Sequence, residues 1–313
     1  MLQNCREKQK MSIPTEKDTL STMVDYYMKS PSFCGLSAPT QVSYDRQLNK
    51  SCITEVQGNV ELGNIKLKNI SIKHISDAYE QWLKVGRRTA NLRAAILNVV
   101  FKYAMQKEIT HKNPINNLTR KADGVRSVRW SRGDVKQFLE VAYSDFRWRS
   151  IGLITHMSYD WAQRVGDMRN LKWKSINFDE KRLDIIQSKR GAEVHLPISD
   201  NLIKMLRRQE EDFGFQEYVA PRVRPIAQSY TPYNIKEVSY LINEVKAKAN
   251  LPKELTAMDL RRTAITEMVE SGVDLAGVMQ VSGHRSPQSV KPYLVNTYSG
   301  AVKALEGRNL DER

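Results

Sequence analysis

The hydrophobic period of this chain changes once, and that change sets its fold class. Nearly everywhere, apolar residues return every three or four positions; between Leu183 and Ile198 they return every second one. Leu183, Ile185 and Gln187 alternate with Asp184, Ile186 and Ser188. After Lys189-Arg190-Gly191, Val194, Leu196 and Ile198 alternate with Glu193, His195 and Pro197. Two period-2 runs around a short Gly-containing turn predict a β-hairpin. The expected fold is mainly α with a small β-sheet.

The helical stretches divide into two groups. In the first, Leu20, Met23, Val24 and Tyr27 share one face, and 40–48 continues with Val42, Tyr44 and Leu48 inward. Stronger patterns cover 75–83 and 89–107, the latter with a stripe of Leu92, Ala95, Ile96, Val99, Val100, Tyr103 and Ala104. The segment 51–73 is weakly patterned and reads as loops and short pieces. Asn113-Pro114 closes the group, because proline disfavours helix in the residue before it. This gives a polar tail over 1–17 and an all-helical domain over 18–118. The second group opens with Ser131 as a helix N-cap before Val135 to Ala142. Helices are expected over 151–159, 165–171, 201–209, 234–249, 260–270, 275–281 and 287–293, in a domain spanning 133–298. A tail over 299–313 carries Val302 and Leu305 on one helical turn.

Charge narrows the partners. Among 313 residues, 49 Lys+Arg against 35 Asp+Glu leave a formal charge of +14. Such a field favours a polyanion, nucleic acid before an acidic membrane surface. Between the domains, 119–132 reads as a basic linker holding Arg120, Lys121, Arg126, Arg129 and Arg132, either a solvated tether or one that crosses a phosphate backbone. No apolar run approaches the roughly 18–20 residues that span a bilayer, and the first ten residues lack a signal-peptide core. Cys5, Cys34 and Cys52 read as free thiols of a reducing compartment. A cytoplasmic, nucleoid-associated protein is expected. Without HExxH, CxxC or a phosphate-binding Gly-Lys loop, neither a metal enzyme nor a nucleotide hydrolase is expected.

The segment from Met258 to Leu294 concentrates chemistry-bearing residues at element ends. Arg261 falls in the first turn of a helix whose apolar side is Leu260, Ala264, Ile265 and Met268. Gly272 ends that helix, Asp274 caps the next and Gly283 ends it, leaving His284 at a corner. Ser286-Pro287 starts a last short helix, and Tyr293 lies nine residues after His284. Each residue alone has a bland reading, as a solvated corner, a turn lysine or a packed ring.

Their order and spacing resemble the tyrosine recombinases, also called phage-type integrases. That family ends in H-x-L-R, then Gly-His, then a tyrosine nine residues on. Here the residues are Met258 to Arg261, Gly283-His284 and Tyr293. Upstream, Gln163-Arg164-Val165-Gly166-Asp167 through Trp173 resembles the family's first-arginine segment, with Asp167 where glutamate is usual. Lys189 sits on the predicted hairpin turn, 25 residues after Arg164, as the family's lysine does. The stretch from Asn91 to Pro114 looks like the exit of the family's core-binding domain, so the resemblance spans roughly 18–300.

The resemblance implies a helical core-binding domain and a catalytic domain that close on double-stranded DNA, and strand cutting and rejoining through a 3′-phosphotyrosyl link. Tyr293 would be the nucleophile, Arg164 and Arg261 would hold the phosphate, Lys189 would be the general acid, and His284 would bind phosphate or relay a proton. With those cations, no metal, cofactor or ATP is required. It further implies crossover-site DNA, a homotetramer on synapsed DNA with the tail docked on a neighbouring subunit, and possible accessory DNA-bending proteins. Arg190 and Arg262 join the basic linker residues as DNA-binding candidates; Arg169 and His195 are phosphate-contacting or structural, and Trp173 reads as core. The departure is Met258, where the family has its first histidine; methionine neither exchanges a proton nor bonds phosphate strongly. A DNA-binding protein of this fold that no longer cuts, a type IB topoisomerase-like enzyme and a basic scaffold for an acidic protein or membrane are the competing readings.

Overall fold

A computed structural model of the chain describes residues 12–124, 126–189, 191–293, 301, 302 and 305. It divides into two compact units between Arg126 and Ser127.

The amino-terminal unit contains α1 (Leu20–Met28), α2 (Pro31–Cys34), α3 (Ala38–Cys52), α4 (Ile72–Val85) and α5 (Arg87–Gln106). Its core is formed by Leu20, Met23, Val24 and Tyr27 of α1 packed with Leu48 of α3, Ile75 and Trp82 of α4, and Leu97, Val100 and Phe101 of α5. Two inward assignments fail. Val42 and Leu92 are exposed, at 61% and 41%. The packed stripe of α5 is rotated toward Ala94, Leu97 and Phe101 because α1, α3 and α4 all rest on this helix, so its buried face is set by three neighbours. The unpatterned 51–73 is ordered as β1 (Glu55–Val56) antiparallel to β2 (Val60–Glu61), followed by two 3₁₀ turns. The unit is thus helical apart from this two-residue ribbon. Tertiary contacts hold the segment where periodicity is silent. The Trp82 indole N–H donates to Thr54 Oγ1 at 2.8 Å, and Gly63 sits where a Cβ would lie 2.9 Å from the Cys52 carbonyl oxygen.

The carboxy-terminal unit contains α6 (Arg132–Ser144), α7 (Phe146–Asp160), α8 (Val165–Met168), α9 (Asp200–Phe213), α10 (Ile235–Lys248), α11 (Ala257–Glu270) and α12 (Leu275–Ser282). Between α8 and α9 lies an antiparallel sheet of β3 (Ile176–Asn177), β4 (Arg182–Ile186) and β5 (Glu193–Pro197), in that spatial order. In the hairpin, Leu183 pairs with Leu196 and Ile185 with Val194, and all four are buried. Every residue of α7 from Trp148 to Ser158 is buried, so this helix runs through the core. Its two bulkiest polar members are partnered: Arg149 Nε donates to Gln209 Oε1 at 2.9 Å, and His156 Nδ1 lies 3.0 Å from the Tyr143 hydroxyl, whereas the Thr155 and Ser158 hydroxyls are buried with no hydrogen bond among the described residues.

Three local expectations change. The helix expected over 165–171 stops at Met168, and 287–293 forms two 3₁₀ turns, Pro287–Ser289 and Lys291–Tyr293. Arg261 lies in the second turn of α11, because that helix starts at Ala257 with a Thr256–Asp259 capping box. Trp173 is half-buried at the edge of the core, its indole donating to the Phe213 carbonyl at 3.1 Å.

The basic segment 119–132 is tied at both ends. Lys121 N–H donates to the Tyr79 hydroxyl, and Asn91 Nδ2 donates to the Lys121 carbonyl and Asp123 Oδ1. At the far end Trp130 is a core residue of the second unit, 2% exposed, with its N–H on Thr263 Oγ1 and its indole on the Thr256 carbonyl. Ser131 caps α6 reciprocally with Asp134.

Replacing Thr54 by valine keeps the volume but leaves the buried Trp82 donor unpaired, a cost of about 1–3 kcal/mol. Denaturant titration of the full chain, followed by hydrogen exchange in α4 and α5, is expected to show that loss confined to the amino-terminal unit.

Candidate active site

The site of the carboxy-terminal unit grows from four chain segments that each end on a polar residue. Arg164 occupies the N-cap of α8 with extended backbone, so its side chain leaves the helix start with little constraint from the helix itself. It is aimed instead by side chains: its Nη1 donates to Gln187 Oε1 at 2.8 Å and lies 3.7 Å from Asp167 Oδ2. Gln187 is fully buried where the first hairpin strand enters the turn. Its Nε2 donates to Gln163 Oε1 at 2.6 Å and to the Ser282 carbonyl at 2.8 Å. Gln163, also fully buried, donates in turn to the carbonyls of Trp161 and Val281.

The helix end at Ser282 receives the second arginine. Arg261 is 7% exposed, and its Nη2 donates to the same Ser282 carbonyl at 2.7 Å and lies 3.4 Å from His284 Nε2. Its buried Nη1 makes no hydrogen bond among the described residues. Burial, then the neighbouring Arg164 charge, pulls the Arg261 guanidinium down to about 10, while Tyr293 and Asp167 act in the opposite direction. It stays cationic at neutral pH. Two guanidinium groups therefore sit side by side with one buried donor unspent, an arrangement that favours an anion between them.

Gly283 makes the corner possible. Its φ of +67° is the left-handed conformation that ends α12, and a Cβ there would lie 2.5 Å from the Gln187 amide nitrogen. The next residue, His284, has its tautomer set locally. Ser282 Oγ spends its proton on the Val278 carbonyl at 2.6 Å, so the 2.7 Å contact with His284 Nδ1 is donated by the imidazole. His284 Nε2 then carries the lone pair and faces Arg261.

Tyr293 ends the second 3₁₀ turn, half-buried against a small apolar cluster of Ala162, Ala264, Ile265, Val278 and Val290. Its ring centroid is 5.5 Å from that of His284, and the Arg262 guanidinium carbon lies 5.9 Å from the Tyr293 ring centre. Arg164, Arg261, His284 and Tyr293 are thus brought together. Lys189 is exposed at the hairpin turn with no partner among the described residues, but the turn around it is pinned. Ser188 N–H and Oγ donate to Asp167 Oδ1, and Arg285 Nη2 donates to the Gly191 carbonyl at 3.0 Å.

Other expected residues are placed as follows. Met258 is 78% exposed on the first turn of α11. Arg120, Lys121 and Arg126 are exposed. Arg129 pairs with Glu270 at 2.8 Å, and Arg132, largely exposed, lies 3.7 Å from Glu267. Arg190 lies outside the described residues, as does most of the tail; of the pair expected on one helical turn there, Val302 is half-buried and Leu305 exposed. Arg169 is structural, its Nη1 on the Tyr233 carbonyl, and His195 pairs with Asp184 across the hairpin. Sequence reasoning missed Gln163, Gln187 and Ser282 as site residues. The signal was present at Gln187, a polar residue in the inward register of Leu183 and Ile185.

The family model described as "Phage integrase family" matches residues 131–299. A tyrosine recombinase XerA of Pyrococcus furiosus is 30% identical over 184 residues, covering 57% of this chain and 61% of that protein. The chain therefore spans about three fifths of that relative's length. Among solved structures, a lambda integrase dimer bound to a COC′ core site superposes with a TM-score of 0.71 at 20% identity, covering 88% of this chain and 77% of that one. A lambda integrase tetramer bound to a Holliday junction gives 0.72 at 19% identity, covering 89% and 78%. At these identities the structures speak for the fold.

Gly283→Ala is expected to force either the left-handed turn or the Gln187 amide to move, at a cost of about 1–3 kcal/mol. A thermal melt would register that loss; an unchanged melting temperature would mean the corner has room that its geometry does not show.

Proposed function

Because the chain belongs to the phage integrase family of tyrosine recombinases, we propose that it is a site-specific DNA recombinase that cuts and rejoins strands through a 3′-phosphotyrosyl intermediate. The observation that carries this reading is the meeting of Arg164, Arg261 and His284 beside Tyr293, with a buried guanidinium donor left for an anion.

A scissile phosphate fits between the two guanidinium forks, which balance charge on its non-bridging oxygens. The Tyr293 phenol oxygen attacks phosphorus as the bond to the 5′-oxygen breaks, and His284 Nε2, the unprotonated nitrogen, accepts the phenol proton. The Lys189 ammonium supplies the proton that the departing 5′-oxygen takes. Rejoining runs these steps in reverse, and the phosphotyrosyl ester conserves the bond energy of the strand. Charge balance comes from two arginines and a lysine, so the scheme invokes neither metal nor ATP. The partner is double-stranded DNA carrying crossover sites, the working assembly is a homotetramer on synapsed DNA, and accessory DNA-bending proteins assist it inside the cell. Among the described residues no helix is long and apolar enough to cross a membrane.

One observation favours a second reading. Met258 offers phosphate neither a donor nor a proton, which suits a DNA-binding protein of this fold that no longer cuts. A nicked suicide substrate separates the two. Incubated without metal, the wild-type chain is expected to form a covalent protein–DNA band that Tyr293→Phe abolishes. Met258→His is expected to raise the rate of its formation by about 10-fold or more, the worth of one positioned proton-transfer or phosphate-binding group. DNA binding with no band from wild type on any cognate site would favour the non-cutting reading.

The basic segment makes a separate forecast. Substituting glutamine for exposed Arg120 or Lys121 is expected to lower the slope of log affinity against log salt by about one for each phosphate the cation had neutralised. The same change at Arg129 should act mainly on stability, because that side chain is engaged by Glu270. Filter binding across a salt series reads both.

A further inference from the structure

We infer that Gln187 is the positioning residue of the site: its buried carboxamide aims Arg164 and holds the Lys189 turn in register with the Arg261–His284 corner. The inference rests on the recombinase reading and goes beyond it, since Gln187 meets no reacting atom and acts through its neighbours.

Every polar atom of the Gln187 carboxamide is engaged. A carboxamide has one oxygen and two N–H donors. Here the oxygen accepts from Arg164, and the nitrogen donates both to Gln163 and to the Ser282 carbonyl. Each partner belongs to a different part of the site. Arg164 is one of the two phosphate-facing cations. The Ser282 carbonyl is shared with Arg261, the other one. Gln163 ties the amide to Trp161 and Val281, the segments leading into Arg164 and His284. Two residues further along the hairpin is Lys189.

Burial explains why this group is an amide. A carboxylate at position 187 would set a negative oxygen against the Gln163 and Ser282 oxygens, and an aliphatic side chain would leave the buried partners unpaired. Only a group with an acceptor on one side and two donors on the other satisfies all three. The packing agrees: Gly283, which lacks a Cβ, is the residue that leaves room for the amide. Asp167 completes the clamp from the opposite side, accepting from Ser188 while standing 3.7 Å from Arg164.

The test is single-turnover cleavage of the nicked suicide substrate by Gln187→Met, which keeps length and volume and removes every hydrogen bond. The half-saturating DNA concentration should be unchanged, because phosphate contacts along the duplex dominate affinity. The rate of covalent-complex formation should fall about 10- to 100-fold, the scale on which small displacements of a catalytic group act. In an Arg164→Lys background, where the fork that Gln187 aims is gone, Gln187→Met should cost a distinctly smaller factor, the remainder being its hold on the Lys189 turn. A purely structural role would instead lower the rate by the same factor in both backgrounds. Gln163→Met removes the support beneath the amide without touching a cation; it should slow cleavage by a smaller factor and add nothing to Gln187→Met, and it serves if Gln187→Met does not fold. Wild-type cleavage rates in Gln187→Met or in Gln163→Met, or equal losses in both backgrounds, would overturn the inference while the recombinase reading stood. No covalent band from wild type would overturn the reading, and the inference with it.

Discussion

Two guanidinium groups held side by side under cover repel one another, and the carboxy-terminal unit is organised to tolerate that repulsion without neutralising it. Arg261 feels it directly, in a guanidinium weakened by burial and by Arg164. The obvious remedy, a carboxylate bonded to each fork, is withheld. Asp167 stands 3.7 Å from Arg164, and Arg261 is held by the Ser282 carbonyl and faces the imidazole. Neutral dipoles make the close hydrogen bonds to both cations, and the one carboxylate nearby, Asp167, stands back at 3.7 Å with Ser188 bonded to it, so the site keeps its attraction for an anion. The surrounding devices follow from that constraint. A buried amide supplies dipoles of both signs, a left-handed glycine makes room for it, and a serine turns the imidazole so that its lone pair meets the charge.

Much of this was legible in the sequence. The change of hydrophobic period located the hairpin to within two residues at either end, because a strand that buries one face must alternate. Asp274 and Gly283 were readable as helix ends because their backbone roles belong to their residue types. The ordered arginines, histidine and tyrosine were readable through resemblance, and they do converge. The supporting amides were not. Gln163 and Gln187 matter through long-range contacts; Gln163 lies in a connection, and Gln187, just past the end of β4, carries no local mark beyond continuing that strand's inward register.

The misplaced assignments share a cause. An amphipathic pattern assumes one buried face and one wet one. The central α7 is buried all round, so it shows almost no periodicity, and its Arg149 and His156 look like surface residues until Gln209 and Tyr143 are seen to satisfy them. In α5 the stripe drawn from spacing included Leu92 and omitted Leu97, because three helices share that surface. Trp130 was read as linker because its neighbours are charged, although its own burial in the second unit marks where the tether ends.

The bonds that shape the active site are long in sequence. Gln187 reaches Ser282 across 95 residues, Gln163 reaches Val281 across 118, and Arg285 reaches back 94 to Gly191. During synthesis, Arg164 and the Lys189 hairpin emerge from the ribosome well before the carbonyls and the corner that organise them. A nascent or interrupted chain ending before Val281 carries both cations unassembled, able to attract a polyanion but with nothing to set their geometry. The site is therefore complete only when the last short segment folds back onto the hairpin, so an interrupted chain carries the two cations without the corner that sets them.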